Sequence, residues 1–140
     1  MAGTVNKNVK KRLLIIDDEA DTTASLAFTL GGLFAVDTCN EPMQVLATFK
    51  PLMYDLVLID FRMSQMNGIE LLEIIRKTDP KVKILIMTSY EIAFLHKGCQ
   101  NSATLEYLIA QDQIIRKPFG KSELLAKLNK VLEVALVPKQ

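Results

Sequence analysis

The chain has 140 residues, of which 49% are hydrophobic and 24% charged, and its formal net charge at neutral pH is +1. These values predict one globular domain with its own core and exclude a largely disordered chain, which would have fewer apolar residues and a larger net charge. The apolar runs are too short to cross a bilayer, and the chain opens without a signal peptide, so we expect no membrane insertion and a cytoplasmic protein.

Basic residues are concentrated at the amino terminus. The first twelve residues contain four bases and no acid, whereas the remaining 128 carry 13 bases and 16 acids, or −3. We therefore predict a flexible basic tail at residues 1–11, a domain at residues 12–137 and no direct nucleic-acid binding. Cys39 and Cys99 lack the spacing of metal ligands and are expected to be free thiols.

Five short apolar runs predict β-strands, and they alternate with segments of helical periodicity. The runs are Leu13–Ile16, Phe34–Val36, Leu56–Ile59, Ile84–Met87 and Ile114–Ile115. This alternation is typical of βαβ units, so we predict an α/β domain with a doubly wound, five-stranded parallel sheet. Runs that are apolar at every position predict central strands covered on both faces.

Apolar residues spaced three, four or seven apart predict four helices. Proline suits the first turn of the second helix and ends the second and third. The predicted helical faces are Leu26, Leu30 and Leu33; Val45 and Phe49, between Pro42 and Pro51; Leu71, Leu72 and Ile75, between Gly68 and Pro80; and Leu124, Leu128, Val131 and Ala135, after Lys121.

Residues 91–110 form an irregular segment in this pattern. Two apolar clusters flank the run Lys97-Gly98-Cys99-Gln100-Asn101-Ser102. Because Gly, Asn and Ser favour turns and caps over helix interiors, we predict either a helix broken near Gly98 or two short helices.

Polar side chains follow four of the five apolar runs. They are Asp17-Asp18-Glu19, then Asp60, then Thr88-Ser89, and finally Arg116-Lys117-Pro118. The carboxyl ends of parallel strands share one edge of a sheet, so we expect three carboxylates, a hydroxyl and an ammonium group to converge there. Each close pair of carboxylates repels by ~4 kcal/mol at an effective dielectric of about 20. Lys117 supplies one compensating charge, and Mg²⁺ is the cation that best suits the remaining oxygens.

Taken in this order, the motifs resemble the receiver domain of two-component response regulators. The matching motifs are Leu-Leu-Ile-Ile-Asp17-Asp18-Glu19, Asp60-Phe-Arg-Met63, Ile-Met-Thr88-Ser89 and Lys117-Pro118-Phe119. The resemblance implies a (βα)₅ flavodoxin-like receiver fold with the irregular segment at residues 91–110. It also implies that Asp60 accepts a phosphoryl group from a sensor histidine kinase or a His-phosphotransfer protein.

The resemblance further implies a role for each site residue. Asp18, Asp60 and the backbone carbonyl of Arg62 would bind Mg²⁺ directly, and Asp17 would bind it through water. Thr88 and Lys117 would each bind a phosphoryl oxygen, and the Lys117-Pro118 peptide bond would be cis. Such a module catalyses its own phosphorylation and dephosphorylation and is not an enzyme with a released product.

The chain departs from the family pattern in three places. Ser64 stands where proline is usual, Ile114 stands where the family has an aromatic switch residue, and the segment between Thr88 and Lys117 is longer. These departures leave open a pseudo-receiver that binds partners constitutively. We otherwise expect phosphorylation to move residues 91–110 and to expose or hide a surface of Ile92, Phe94, Leu95 and Tyr107.

Two other functions fit the motifs less well. A hydrolase with an aspartyl nucleophile would have a second acid two residues after the first, and Arg62 occupies that position after Asp60. A flavodoxin-like nucleotide binder would need a glycine-rich or hydroxyl-rich loop after its first strand, where Asp17-Asp18-Glu19 would repel phosphate.

Overall fold

Helices and strands alternate along the chain in a computed structural model that describes residues 9–98 and 102–136. The predictions for residues 1–8, Cys99 and residue 137 fall outside these ranges, and within α6 the side chain of Ala135 is not described. The elements are β1 (Lys11–Ile16), α1 (Ala20–Leu30), β2 (Phe34–Cys39), α2 (Pro42–Thr48), β3 (Leu56–Asp60), α3 (Gly68–Thr78), β4 (Lys83–Thr88), α4 (Ile92–Gly98), α5 (Ser102–Ala110), β5 (Ile114–Arg116) and α6 (Lys121–Leu136).

The strands of the described chain form one five-stranded sheet in the order β2-β1-β3-β4-β5. Every neighbouring pair is parallel, with Leu13 beside Leu56 and Leu56 beside Lys83. The predicted doubly wound α/β fold with a five-stranded parallel sheet is confirmed. Because all strands run the same way, their carboxyl ends lie at one edge.

Helices cover both faces of the sheet. Successive strand residues point to opposite faces, so each central strand contributes to two apolar clusters. One cluster joins α1 and α6 to the sheet through buried residues such as Leu30 and Leu128. The other joins α2, α3, α4 and α5 to the opposite face, with Ile75 and Leu105 among its members. Central strands buried on both sides explain the unbroken apolar runs.

Several predicted boundaries differ from the structure, and the largest differences are at α1 and β2. Lys11, predicted in the tail, begins β1, and Phe49, predicted on the face of α2, follows the end of that helix at Thr48. Helix α1 ends at Leu30, and Leu33 is 54% exposed, so Leu33 does not share the buried face of Leu26 and Leu30. Gly31 and Gly32 follow the helix, and glycine disfavours its continuation. Strand β2 continues to Cys39, beyond the predicted end at Val36, because this edge strand is exposed at polar positions that an apolar run does not reveal.

Residues 91–110 contain the two short helices that their composition predicts, α4 and α5. Of the four residues expected to form a phosphorylation-dependent surface, Ile92, Phe94 and Tyr107 are exposed. Leu95, however, is fully buried in the core between the sheet and its helices, so it does not belong to that surface.

Two further predictions concern the backbone and the membrane. The Lys117-Pro118 peptide bond is cis. Among residues 9–98 and 102–136, no helix has the length and apolar character needed to span a membrane.

Candidate functional site

Two aspartates and a lysine meet at the carboxyl edge of the sheet. Asp60 is the last residue of β3, and its Oδ1 lies 2.6 Å from Lys117 Nζ. Asp17 follows β1, and its Oδ2 lies 3.5 Å from the same nitrogen. Asp17 is 1% exposed and Asp60 is 6% exposed, so one ammonium group bridges two buried carboxylates.

Backbone hydrogen bonds hold the loops that carry these side chains. The Lys117 N–H donates to the Thr88 carbonyl at 2.7 Å, which joins the loop after β5 to the end of β4. The Asp17 N–H donates to the Cys39 carbonyl at 3.2 Å and extends the pairing of β1 with β2. Asn40 Nδ2 donates to the Asp17 carbonyl at 2.8 Å. The side chains are therefore anchored on rigid strand ends.

Gly68, the first residue of α3, lies against the backbone of Asp60. A Cβ at this position would lie 2.6 Å from the Asp60 carbonyl oxygen and 3.1 Å from Phe61 Cα. The Gly68 N–H donates to the Phe61 carbonyl at 2.7 Å. Glycine is required here for close approach of two backbone segments, because any larger residue would push the start of α3 away from the strand.

Burial dominates the electrostatics of the two carboxylates. Loss of solvent raises the pKa of Asp60 from 3.8 to about 6, although Lys117 favours its ionised form, and the charge of Asp17 adds to the rise. Burial also raises the pKa of Asp17, against the Glu19 N–H and Lys117. For Lys117, burial opposes the charged form, but the hydrogen bond and charge of Asp60 prevail and raise its pKa.

Asp18 and Thr88 lie at the same edge in different surroundings. Asp18 is half-buried, and its Oδ2 accepts the Ser64 N–H at 2.9 Å, so its carboxylate is directed to the loop after β3. Thr88 is 2% exposed, and its Oγ1 accepts the Tyr90 N–H at 3.0 Å. The strand ends thus bring Asp17, Asp60 and Lys117 into direct contact.

Comparison with known protein families identifies the family of this chain. Residues 13–129 match the model of the response regulator receiver domain, which is most of the chain. The chain belongs to this family. The match includes both strand-end aspartates, Thr88 and Lys117, so the family resemblance seen in the sequence is confirmed.

Individual relatives agree with the family assignment. Chemotaxis protein CheY of Thermotoga maritima is 31% identical over 124 residues, covering 86% of this chain and 97% of that protein. Transcriptional regulatory protein ZraR of Klebsiella oxytoca is 33% identical over 115 residues, covering 81% of this chain and 26% of that protein. The chain spans about a quarter of the length of ZraR and about half of the CpxR homolog of Haemophilus influenzae.

Solved receiver structures share the fold. A CheY-like receiver domain from Methanospirillum hungatei superposes with a TM-score of 0.74 at 26% identity, covering 90% of this chain and 96% of that one. The response regulator TrrA of Thermotoga maritima, solved in complex with Mg²⁺-BeF, has a TM-score of 0.69 at 28% identity, with 86% and 98% covered.

The chemistry of the donors in this receiver domain fits a hard divalent cation. Asp17, Asp18 and Asp60 carry −3 and Lys117 carries +1, which leaves −2 at a largely buried edge. Oxygen ligands and this charge suit Mg²⁺. Within the described ranges, however, no group of three or more His, Cys, Asp or Glu side chains lies close enough to hold a metal.

Sequence reasoning found the charged residues of the site and missed several that position them. Asn40 links the Asp17 carbonyl to Thr23 Oγ1, at 2.8 and 2.9 Å, and its position after a polar edge strand gave no indication of this. The close approach of Gly68 was also missed, although an Asn-Gly pair at a helix start is a recognisable turn sequence.

Proposed function

We propose that this receiver domain is a phosphorylation-controlled signalling module in which Asp60 is the phosphoacceptor. The observation that carries the proposal is the contact between the Asp60 carboxylate and Lys117 Nζ at the end of the central strand β3. Asp60 is buried but not sealed, and Lys117 is 26% exposed at its side chain, so a donor can approach from the sheet edge.

The proposed reaction is an in-line phosphoryl transfer from a phosphohistidine donor. A carboxylate oxygen of Asp60 forms a bond to phosphorus while the bond between phosphorus and the donor's imidazole nitrogen breaks. The electron pair of that bond stays on the imidazole, and Asp60 becomes an acyl phosphate. Water later hydrolyses the acyl phosphate, which restores the carboxylate and releases inorganic phosphate. In this proposal the domain catalyses only its own phosphorylation and dephosphorylation and is not an enzyme acting on a separate substrate.

Lys117 and Thr88 are the residues proposed to stabilise the transferring group. The Lys117 ammonium already contacts Asp60 Oδ1. It can therefore bind a phosphoryl oxygen when negative charge develops there during the transfer. The Thr88 hydroxyl accepts the Tyr90 N–H and retains its own proton for donation to another phosphoryl oxygen. Both groups are fixed at strand ends, which limits the reorganisation that the reaction needs.

Mg²⁺ is the proposed cofactor, held by Asp18, Asp60 and the Arg62 backbone carbonyl, with Asp17 acting through water. When bound, it supplies positive charge that offsets the carboxylates and the phosphoryl oxygens. The Mg²⁺-BeF complex of TrrA supports this assignment by similarity. Asp18 Oδ2 accepts the Ser64 N–H, so Oδ1 is the Asp18 oxygen proposed to bind the ion.

The proposed partners follow from the same chemistry. The phosphodonor would be a sensor histidine kinase or a His-phosphotransfer protein in the cytoplasm. The domain would act through protein contacts and not by binding nucleic acid itself, although a relative such as MtrA of Mycobacterium leprae is named a DNA-binding response regulator. That relative is matched over 50% of its length, so its activity as a whole protein is not carried over.

Intact mass measurement after incubation with Mg²⁺ and acetyl phosphate tests the proposal. We expect the wild-type chain to gain one phosphoryl group that hydroxylamine removes, and Asp60→Asn to gain none. Asp55→Asn is the matched control, because Asp55 lies just before the opposite end of the same strand and accepts the Arg12 N–H at 2.8 Å. The pseudo-receiver would instead be supported if the mass of the wild type did not change and its binding to a partner were the same with and without phosphodonor.

A further inference from the structure

Tyr90 lies between the two loops that follow the central strands β3 and β4. Its phenol oxygen accepts a hydrogen bond from Arg62 Nη1, and the Arg62 guanidinium carbon lies 6.0 Å from the ring centroid. Its backbone N–H donates to Thr88 Oγ1 at 3.0 Å. Tyr90 is therefore held both by a residue two positions after Asp60 and by the hydroxyl at the end of β4.

The ring of Tyr90 connects these loops to α4. On one side it makes an edge contact with Phe61, at 6.3 Å between centroids and an interplanar angle of 80°. On the other side it contacts Phe94 of α4, at 4.8 Å and 54°. Phe61 directly follows Asp60, and its N–H donates to the Met87 carbonyl at 2.8 Å. A continuous set of contacts thus runs from the proposed phosphoacceptor to α4.

Helix α4 is weakly held in the fold. It spans seven residues, and Leu95 is the buried side chain among those described between Glu91 and Lys97. Phe94 is 53% exposed, and its ring contacts that of Tyr90. Elements with few buried side chains open or shift at low free-energy cost.

We propose that Tyr90 is the positioning residue through which phosphorylation of Asp60 displaces α4. The proposal rests on the function proposed above. A phosphoryl group on Asp60 brings oxygens that attract the Arg62 guanidinium and the Thr88 hydroxyl, and these are two of the groups that now fix Tyr90. Once Arg62 turns toward the phosphoryl group, the phenol loses its donor and the Tyr90 ring is free to leave Phe94.

The energetic requirement for such coupling is met at Tyr90. A modification shifts a conformational equilibrium only if it interacts differently with the two states. Arg62 donates to Tyr90 in the unphosphorylated domain and would donate to phosphate in the other, so the same guanidinium distinguishes them. The side chain of Ile114, partly buried at the start of β5, has no hydrogen-bonding group. It therefore cannot exchange one hydrogen-bond partner for another on phosphorylation.

Hydrogen exchange of α4, measured beside intact mass, tests the proposal. In the wild type we expect phosphorylation to change the exchange rates of amides 91–98 severalfold. In Tyr90→Leu, which removes both the phenol and the ring, we expect that change to be lost in molecules that the mass shows to be phosphorylated. Tyr90→Phe keeps the ring and removes the Arg62 bond, so its unphosphorylated exchange should move toward the phosphorylated wild type. Tyr107→Leu, on α5, is the matched control.

The outcomes separate this inference from the function on which it rests. If the wild type gains no phosphoryl group, the proposed function fails. If it gains one and amides 91–98 respond equally in wild type and Tyr90→Leu, the role of Tyr90 is wrong and the phosphoacceptor stands. An exchange change confined to the loop after Asp60 would also overturn the role of Tyr90.

Discussion

Lys117 Nζ lies 2.6 Å from Asp60 Oδ1 and 3.5 Å from Asp17 Oδ2, so one cation serves two buried carboxylates. The cation is shared unequally, and the shorter contact goes to the proposed phosphoacceptor. The position of Lys117 is also fixed by its backbone N–H, which donates a hydrogen bond to the Thr88 carbonyl at the end of β4. A change at this one side chain should therefore affect both the chemistry and the titration of Asp60.

We predict that Lys117→Met slows phosphorylation from acetyl phosphate roughly 100-fold, as loss of one fixed group at a developing charge does in enzymes. The same variant should raise the pKa of Asp60 further above about 6, because the hydrogen bond and the charge that lower it are both removed. Carboxyl carbon NMR measures the pKa, and Lys121→Met at the start of α6 is the control. An unshifted Asp60 pKa would contradict this prediction.

The pKa of Asp60 predicts an unusual contribution to stability. Folding raises this pKa from 3.8 to about 6, so between these values the folded state binds more protons than the unfolded state. The contribution of Asp60 to the free energy of unfolding therefore falls as pH rises from about 4 to about 6, by at most ~3 kcal/mol, and is constant above that. Asp17 contributes in the same direction.

Urea melts of wild type and Asp60→Asn in metal-free buffer at several pH values test this sign. The stability of Asp60→Asn relative to wild type should increase from pH 4 to pH 6 and then level off. Carboxylates away from the site, such as Asp112 with its lowered pKa, titrate equally in both proteins and cancel in the difference. A difference that does not vary with pH would show that Asp60 titrates normally.

Asp17 is the carboxylate whose charge raises the pKa of Asp60. We predict that Asp17→Asn lowers the pKa of Asp60 and stabilises the metal-free domain by a few tenths to ~1 kcal/mol. Asp18→Asn should leave the pKa of Asp60 nearly unchanged, since its carboxylate is directed to Ser64.

Both variants should lose most of the stabilisation that Mg²⁺ gives the wild type, because ligand binding to the folded state adds to its stability. Urea melts with and without Mg²⁺ measure this, and Asp21→Asn, on α1, is the control. A larger shift of the Asp60 pKa in Asp18→Asn than in Asp17→Asn would show that Asp18 is the carboxylate that repels Asp60.

The sheet and its charged edge could be predicted because they depend on patterns that the chain carries locally. Unbroken apolar runs require burial on both faces, and parallel strands must end at one edge, so Asp17, Asp60 and Lys117 were placed together correctly. The two helices within residues 91–110 followed from helix-disfavouring residues near Gly98. These conclusions needed no knowledge of side-chain conformation.

The details that were missed depend on three-dimensional packing. The acceptance of the Ser64 N–H by Asp18 depends on how one loop folds over another, and sequence spacing does not determine it. Leu95 was assigned to one surface with Ile92 and Phe94, but the turn of α4 directs it to the core. The prediction for Leu33 was wrong because α1 ends at Leu30, before Gly31 and Gly32, and so does not include Leu33.

Gly68 offers the most direct test of how packing positions the site. A Cβ on this residue would lie 2.6 Å from the Asp60 carbonyl oxygen and 3.1 Å from both Ile59 Cγ2 and Phe61 Cα. Backbone atoms cannot turn away as a flexible side chain can, so α3 must move. We predict that Gly68→Ala destabilises the domain by about 2–3 kcal/mol, the upper range for overpacking.

The displaced backbone should also move Asp60 relative to Lys117 and slow phosphorylation from acetyl phosphate more than the loss of stability alone would. Gly32→Ala is the matched control, because a Cβ there meets no atom within 4 Å, and we expect its stability to change by less than about 0.5 kcal/mol. Urea melts and phosphorylation rates at a temperature where both variants are fully folded separate the two effects. Equal stability of the two variants would mean that α3 yields without cost, and the close approach at Asp60 would then not be a constraint on the site.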